Sequence, residues 1–340
     1  MTKSKSILVT GGAGYIGSHT VVELYQAGYL PVIVDNLSRS NQSMLDGLHS
    51  ILGVHVPFYQ ADCCDAQKLV EVIRRHDVAC VMHFAAFKSV NESVANPLLY
   101  YRNNIDSLVA VLEAMRVTGV SDLVFSSSCT VYGQPDHIPV DELAPFKRAE
   151  SPYGATKQMS ERIIEDAIQL GLRAISLRYF NPIGAHPGSL IGELPIGVPN
   201  NLVPYVTQTA IGLREKLTIF GDDYNTPDGT CVRDFIHVCD VAEAHVKAME
   251  YLQQQPSKHF LALNLGTGVG VSVKQLVETF IRVTGVNLNW VMGPRRDGDV
   301  EKVYANPELS ASVLRWKSSR SLEQSLTDAW SWEKAIRKGI

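Results

Sequence analysis

The stretch Ser6-Ile-Leu-Val-Thr10-Gly-Gly-Ala-Gly14-Tyr-Ile-Gly17 decides the fold. Ser6 to Thr10 reads as a short apolar strand running straight into glycines, and Gly11, Gly14 and Gly17 fit the pattern G-x-x-G-x-x-G. Val21, Val22, Leu24 and Tyr25 then recur at helical spacing, and Gly28 stops the helix. In a strand, glycine turn and helix of this kind, backbone N–H groups can approach a pyrophosphate at the helix N-terminus. A second strand, Pro31 to Val34, ends at Asp35, 18 residues past Gly17. A carboxylate there accepts hydrogen bonds from a ribose diol and repels a 2′-phosphate, which favours NAD over NADP. Arg39, close by, is the residue that argues the other way.

Working outward, strand signals at Val56 to Gln60, Ala79 to Phe84, Leu123 to Ser127 and Arg173 to Tyr179 alternate with helical segments. The alternation predicts an α/β fold, a doubly wound parallel sheet of Rossmann type with helices on both faces. Ligands of such sheets bind beyond the carboxyl ends of the strands. The expected loop residues are therefore Asp62-Cys63, Ala85 to Lys88 and Ser126 to Ser128, with Asp62 near an adenine. From Asn181 onward the alternation fades and Pro, Gly and Asn become frequent, which predicts a smaller, loop-rich α/β substrate-binding domain. The expected division is residues 1–180 and 181–340.

Ser151-Pro-Tyr-Gly-Ala-Thr-Lys157 supplies the chemistry. Ser is a favoured N-cap and Pro a favoured first helical residue, so Tyr153 falls in the first turn of a helix. Lys157, four residues on, shares its face. An ammonium beside the phenol favours the phenolate and is expected to lower a pKa that ordinarily lies at about 10. The helix dipole favours the anion as well. A phenol made basic next to a nicotinamide site suits removal of a proton from an alcohol whose carbon gives up a hydride.

Composition narrows the alternatives. With 340 residues, 45% of them apolar, the chain can bury a large core. Lys and Arg number 31 against 35 Asp and Glu, a net charge of −4 without a sustained basic run, so neither nucleic acid nor an anionic membrane is the expected partner. The basic N-terminus, Met1 to Ser6, precedes only Ile7, Leu8 and Val9, too short for a signal peptide, and no apolar stretch approaches a membrane span. Cys63, Cys64, Cys80, Cys129, Cys231 and Cys239 show no C-x-x-C pair. They read as reduced thiols of a cytoplasmic protein, with no metal site expected.

These residues resemble the extended short-chain dehydrogenase/reductase family and, within it, the UDP-glucose 4-epimerases. The likeness runs from about Ile7 to Trp332 through Thr10 to His19, His83 to Ala86, Ser126 to Gly133, Arg178 to Pro182, Pro199 to Leu202, Val232 to Val238 and Pro294 to Asp299. It implies that NAD takes the hydride from C4 of a UDP-hexose while Tyr153 takes the hydroxyl proton. The 4-keto sugar then turns and is reduced on its other face. Lys157 would hold the nicotinamide ribose, and Ser128 the C4 oxygen. Tyr15, Ile16, Asn36, Asp62, Cys63, Phe84, Ala85, Ala86, Lys88, Asn103 and Phe180 would join the glycine loop and Asp35 in binding the cofactor. The related 4,6-dehydratases carry an Asp-Glu pair where this chain has Cys129 and Thr130, so elimination of water lacks its acid and base.

A UDP-sugar calls for bidentate arginines, amides and a flat contact for uracil. The resemblance implies Arg233 and Arg296 at the diphosphate, Asp299 at the uridine ribose, Asn181 and Asn201 with Leu202 at the phosphate or sugar, and Thr218, Ile219 and Phe220 at the uracil. Lys88, Ser128 and Tyr153 would also touch the substrate. Val303 stands where a tyrosine in many relatives excludes 2-acetamido sugars, with Tyr304 the alternative gate if the loop shifts by one. His237 reads as a structural histidine. The segment near 233–252 is expected to return to the nucleotide-binding half, and a homodimer is expected through Tyr100 to Val117 and Ser151 to Gln169.

Overall fold

A computed structural model of the chain describes residues 5–296 and 299–338. Residues 1–4, Asp297 and Gly298 of the arginine-rich motif, and residues 339–340 therefore lie outside the described residues.

Seven parallel strands form the central sheet. Their spatial order is His259–Leu265, Arg173–Tyr179, Asp122–Ser128, Val78–His83, Ser6–Thr10, Leu30–Asp35 and Phe58–Gln60. The order reverses between Ser6–Thr10 and Val78–His83, and there the carboxyl ends of neighbouring strands open a crevice for ligand. Successive residues of a strand point to opposite faces. Ile7 and Val9 accordingly join one core with Ile33, Met82 and Leu177, while Leu8 joins another with Val34, Val81 and Phe125. Helices Tyr15–Gln26, Gln42–Leu52 and Val238–Leu252 supply the first core. Helices Ala66–His76, Pro97–Thr118 and Pro152–Ala167 supply the second. Both faces are thus dry, which is why these strands read as unbroken apolar runs.

Beyond Tyr179 the elements shorten. Asn181–Ile183 pairs with Phe235–His237, Leu217–Phe220 pairs with Trp290–Gly293, and Val232–Arg233 lies between Val271–Ser272 and Lys302–Val303. Helices Leu202–Ala210, Val273–Thr284 and Leu322–Ile336 close a third core around Val206, Leu276, Phe280 and Leu326. Between these small sheets the chain re-enters the large one. Helix Val238–Leu252 packs beside Tyr15–Gln26, and His259–Leu265 adds the edge strand next to Arg173–Tyr179.

Candidate active site

The glycine loop leaves no room for side chains. A Cβ on Gly17 would lie 2.3 Å from the Gly11 carbonyl oxygen, and one on Gly11, whose φ is +69°, would lie 2.7 Å from the Ala85 nitrogen. Gly14 caps the Tyr15–Gln26 helix without a side chain of its own. The result is a cradle of backbone at a helix N-terminus, next to the loop that follows His83. It suits a pyrophosphate in close approach.

Asp35 is 7% exposed at the end of its strand. Its carboxylate accepts from Ala13 N at 3.1 Å, Leu37 N at 2.9 Å and Ser40 Oγ at 2.8 Å. Arg39 is turned elsewhere, pairing with Glu92 at 2.5 Å and lying 4.6 Å over the Phe87 ring. A 2′-phosphate would therefore meet the carboxylate rather than the guanidinium, so the residues present fit NAD. Asn36 donates to Asp62 at 3.3 Å, which brings two strand ends together at the adenosine side. The Cys64 N–H holds the Asp62 carboxyl below its ordinary value. Cys63 is buried, and burial pushes its thiol up.

Ser151 caps the Pro152–Ala167 helix, its Oγ accepting from Gly154 N at 3.2 Å, so Tyr153 sits in the first turn as the spacing predicts. The Ser128 hydroxyl lies beside the Tyr153 phenol, close enough to favour the phenolate. Ser128 ends its strand 8% exposed and also accepts from Thr130 N at 3.3 Å, so it serves the backbone and faces the phenol at once. Lys157 donates to the Ser126 carbonyl at 2.6 Å and lies 5.8 Å from the Tyr153 ring centre.

One expectation is corrected here. The protein alone pushes the Tyr153 phenol up to about 12, not down. Burial is the largest cause, the neighbouring Ser128 hydroxyl opposes it, and Cys129 adds to it. Burial also pushes Lys157 down to about 7 against the pull of Glu161. The lysine ammonium is committed to a carbonyl, so it does little to offset the desolvation that both charged forms suffer.

A buried network behind this pair escaped the sequence. Glu161, one turn past Lys157, takes Arg178 in two bonds of 3.0 and 2.7 Å and Ser127 Oγ at 2.5 Å. Arg178 passes on to Tyr132 Oη at 2.9 Å, which donates to Asn264 at 2.7 Å. Three adjacent strands and the Pro152–Ala167 helix are locked in register by it.

The loop after His83 is fixed in the same way. Asn104 accepts from Phe87 N at 2.8 Å and from Asn103 at 2.9 Å, and donates to Thr156 at 3.1 Å. Phe84 packs 4.7 Å from the His245 ring. Tyr15 donates to the Gly184 carbonyl at 2.7 Å, and Ile16 packs into the core below. Lys88 pairs with Glu193 at 2.7 Å, and the same oxygen accepts from Asn201 Nδ2 at 2.6 Å. Glu193, absent from the sequence reading, thus bridges the glycine-loop side to the start of helix Leu202–Ala210.

Toward the other end, Arg296 forks onto Asp299 with bonds of 3.2 and 2.7 Å, and Arg233 approaches the same carboxylate at 3.7 Å. The structure thus gives Asp299 to the two arginines. Arg296 also lies 5.8 Å over Phe220, which is exposed. Ile219 is buried in the third core, so only its backbone can reach a ligand beside Thr218 and Phe220. Asn181 donates its N–H to the Asp234 carbonyl at 3.0 Å.

Val303 pairs with Arg233 and is buried in a cluster with Phe180, Val131 and Tyr132 beside Cys129. The Tyr304 ring lies on Gly270 instead, outside that cluster. His237 caps helix Val238–Leu252 by accepting from Cys239 N at 3.0 Å and faces Asp328 at 3.2 Å, a structural pairing. Among the described residues, no group of three or more His, Cys, Asp or Glu could hold a metal ion, and no helix is long and apolar enough to cross a membrane.

Residues 7–266 match the model of the NAD dependent epimerase/dehydratase family. The chain is 47% identical to a UDP-glucose 4-epimerase of Yersinia pestis over 98% of both chains. It superposes with a TM-score of 0.96 on the UDP-glucose-4-epimerase of Stenotrophomonas maltophila with bound NAD and formylated UDP-arabinopyranose. That protein is 45% identical, with 99% of this chain and 100% of that one covered. The Bifidobacterium longum enzyme in complex with NAD+ and UDP matches with a TM-score of 0.94 and 37% identity over 99% and 100% of the two chains. The cradle, the Asp35 carboxylate and the Ser128, Tyr153 and Lys157 cluster thus stand in a chain that belongs to the NAD dependent epimerase/dehydratase family, with the UDP-glucose 4-epimerases.

Proposed function

We propose that the protein interconverts UDP-glucose and UDP-galactose by oxidation and re-reduction at C4. One observation carries this reading. The Ser128 hydroxyl stands beside the Tyr153 phenol at the crevice, with Lys157 one turn on, while Cys129 and Thr130 beside them bring no carboxylate. Bound in the glycine cradle beside Asp35, NAD would supply a hydride acceptor for C4 that also gives the hydride back, so that no outside oxidant would be consumed. Tyr153 takes the hydroxyl proton and later gives it back, and Ser128 holds the C4 oxygen through both steps. Lys157 orients the nicotinamide ribose. With the phenol near 12 in the protein alone, the added positive charge that favours proton loss comes with the oxidised nicotinamide.

Arg233 and Arg296 are the diphosphate ligands in this reading, exchanging Asp299 for phosphate oxygens as the uridine ribose engages that carboxylate. Thr218 to Phe220 form the uracil edge, and Asn181, Asn201 and Lys88 line the sugar. The cofactor contacts are the glycine loop, Tyr15, Ile16, Asp35, Asn36, Asp62, Cys63, Phe84 to Ala86, Lys88, Asn103 and Phe180. Residues 1–180, the returning stretch 233–252 and strand His259–Leu265 make the NAD-binding domain, and the remainder of 181–340 the UDP-sugar domain. Six free cysteines suit a reducing compartment, so we place the enzyme in the cytoplasm, as a homodimer.

The test is whether purified protein equilibrates UDP-galactose and UDP-glucose without added cofactor. A strict need for stoichiometric NADH would make it a net reductase instead. Because Val303 is smaller than tyrosine and Tyr304 is turned away, UDP-GlcNAc is expected to be turned over measurably. Product analysis showing none would remove that extension alone.

A further inference from the structure

Asp234 is fully buried at a point where the chain changes sheets. Val232–Arg233 before it belongs to the three-stranded sheet, and Phe235–His237 after it pairs with Asn181–Ile183. Four donors converge on its carboxylate. Thr267 N and Oγ1 reach Oδ1 at 2.8 and 2.7 Å, and Gly268 N and Ala305 N reach Oδ2, each at 3.1 Å. A carboxylate has about four lone-pair sites, so the set is complete. A Cβ on Gly266 would lie 2.4 Å from Oδ2, so this turn packs directly on the acid.

What these donors belong to is the telling part. Ala305 stands two residues after Val303. Thr267 stands two residues after Leu265, whose carbonyl accepts from Phe180 N at 3.3 Å. Val303 and Phe180 share one buried cluster beside Cys129. Arg233 is the preceding residue, and Asn181 is held by the Asp234 carbonyl. Val303, two residues before Ala305, and Phe180, through Leu265, are thus both tied to the Asp234 carboxylate, while Asn181 is tied to the main-chain carbonyl of the same residue.

We propose that Asp234 is a positioning residue for substrate selectivity, setting the spacing between Phe180 and Val303 and with it the bulk that the site admits at C2 of the hexose. The inference rests on the UDP-hexose reading above and deepens it. Asparagine would keep the shape but turn its amide donor toward Gly268 N and Ala305 N in one flip, or toward Thr267 N in the other, where the Thr267 hydroxyl can rotate to accept. The unsatisfied N–H groups would push one wall outward.

The experiment uses the full chain loaded with NAD and compares wild type, Asp234→Asn and Thr267→Val. The readout is the Ki of UDP-GlcNAc as a competitor divided by the KM of UDP-galactose, which needs no turnover of the acetamido sugar. The ratio is expected to fall by about fivefold in Asp234→Asn, a change that corresponds to about 1 kcal/mol of selectivity. A smaller fall in the same direction is expected in Thr267→Val, with bound NAD unchanged in both. Thr267→Val removes one donor and leaves three, so it decides the matter by the same ratio if Asp234→Asn fails to fold. A ratio staying within about twofold of wild type, with both constants moving together, would show that Asp234 only holds the fold. A wild type inactive on UDP-galactose would overturn the functional reading instead, and that outcome is seen before any variant is compared.

Discussion

Tyr153 and Lys157 are both displaced toward their neutral forms, the phenol up to about 12 and the ammonium down to about 7, because burial outweighs every neighbour. Two outcomes follow at this scale. Tyr153→Phe is expected to lower kcat by about 10²- to 10⁴-fold, the usual worth of a proton-transfer group, with UDP affinity by calorimetry little changed. A near wild-type kcat would exclude the phenol as the base. For Lys157, the folded value lies below the ordinary 10.5, so between the two the unfolded chain binds more protons and stability rises with pH. Urea melts of the nucleotide-free protein at about pH 7 and about pH 9.5 should show that rise in wild type and a flatter trend in Lys157→Met. Equal slopes would place the lysine in a wetter site than its 3% exposure suggests. The pair was legible in the sequence because cap, phenol and lysine fall within seven consecutive residues. Glu161, Glu193 and Asp234 were not. Each is one acid among 35, and partners 17, 105 and 71 residues away decide its role.

The same contrast holds for whole elements. Strands of the large sheet that are buried on both faces announce themselves as apolar runs, and the glycine loop announces itself by spacing. Gly17→Ala would drive a methyl to within 2.3 Å of the Gly11 carbonyl, a backbone atom that cannot yield without opening the loop. The expected cost is about 1–3 kcal/mol of stability. Loss of co-purified NAD, read from absorbance, should accompany it, and a variant that keeps full NAD content would show that the loop gives way elsewhere. Ser151→Ala, which removes one cap bond, should cost about 1 kcal/mol and reduce kcat by loosening the turn that carries Tyr153. An unchanged melting temperature would count against that. Strand His259–Leu265 carried no comparable signal. Its first four residues are only half-buried, and it rejoins the sheet after the long excursion through residues 181–258. The small sheets beyond Asn181 are two to four residues wide, too short for any period to show.

At the scale of the molecule, the two helices that flank the catalytic half carry apolar side chains with nothing over them. Leu98, Val109 and Val117 on Pro97–Thr118 are 81, 38 and 52% exposed, and Met159 on Pro152–Ala167 is 46% exposed. The two helices lie side by side over the second core, so their outer faces form one continuous surface. A second copy of the chain meeting it about a two-fold axis would cover these groups with their own counterparts. It would also buttress the helix that holds Tyr153 and Lys157, which ties assembly to turnover. Light scattering should then give twice the 37.4 kDa of one chain. Charges of one sign facing each other across such an axis cost several kcal/mol, so the double substitution Val109→Asp and Met159→Asp should shift the mass to a single chain. Activity should fall with it, since Tyr153 and Lys157 lose the support of the partner helix. A wild type that scatters as a single chain would leave these helices uncovered in solution and remove the link, whatever the fate of the catalytic assignment.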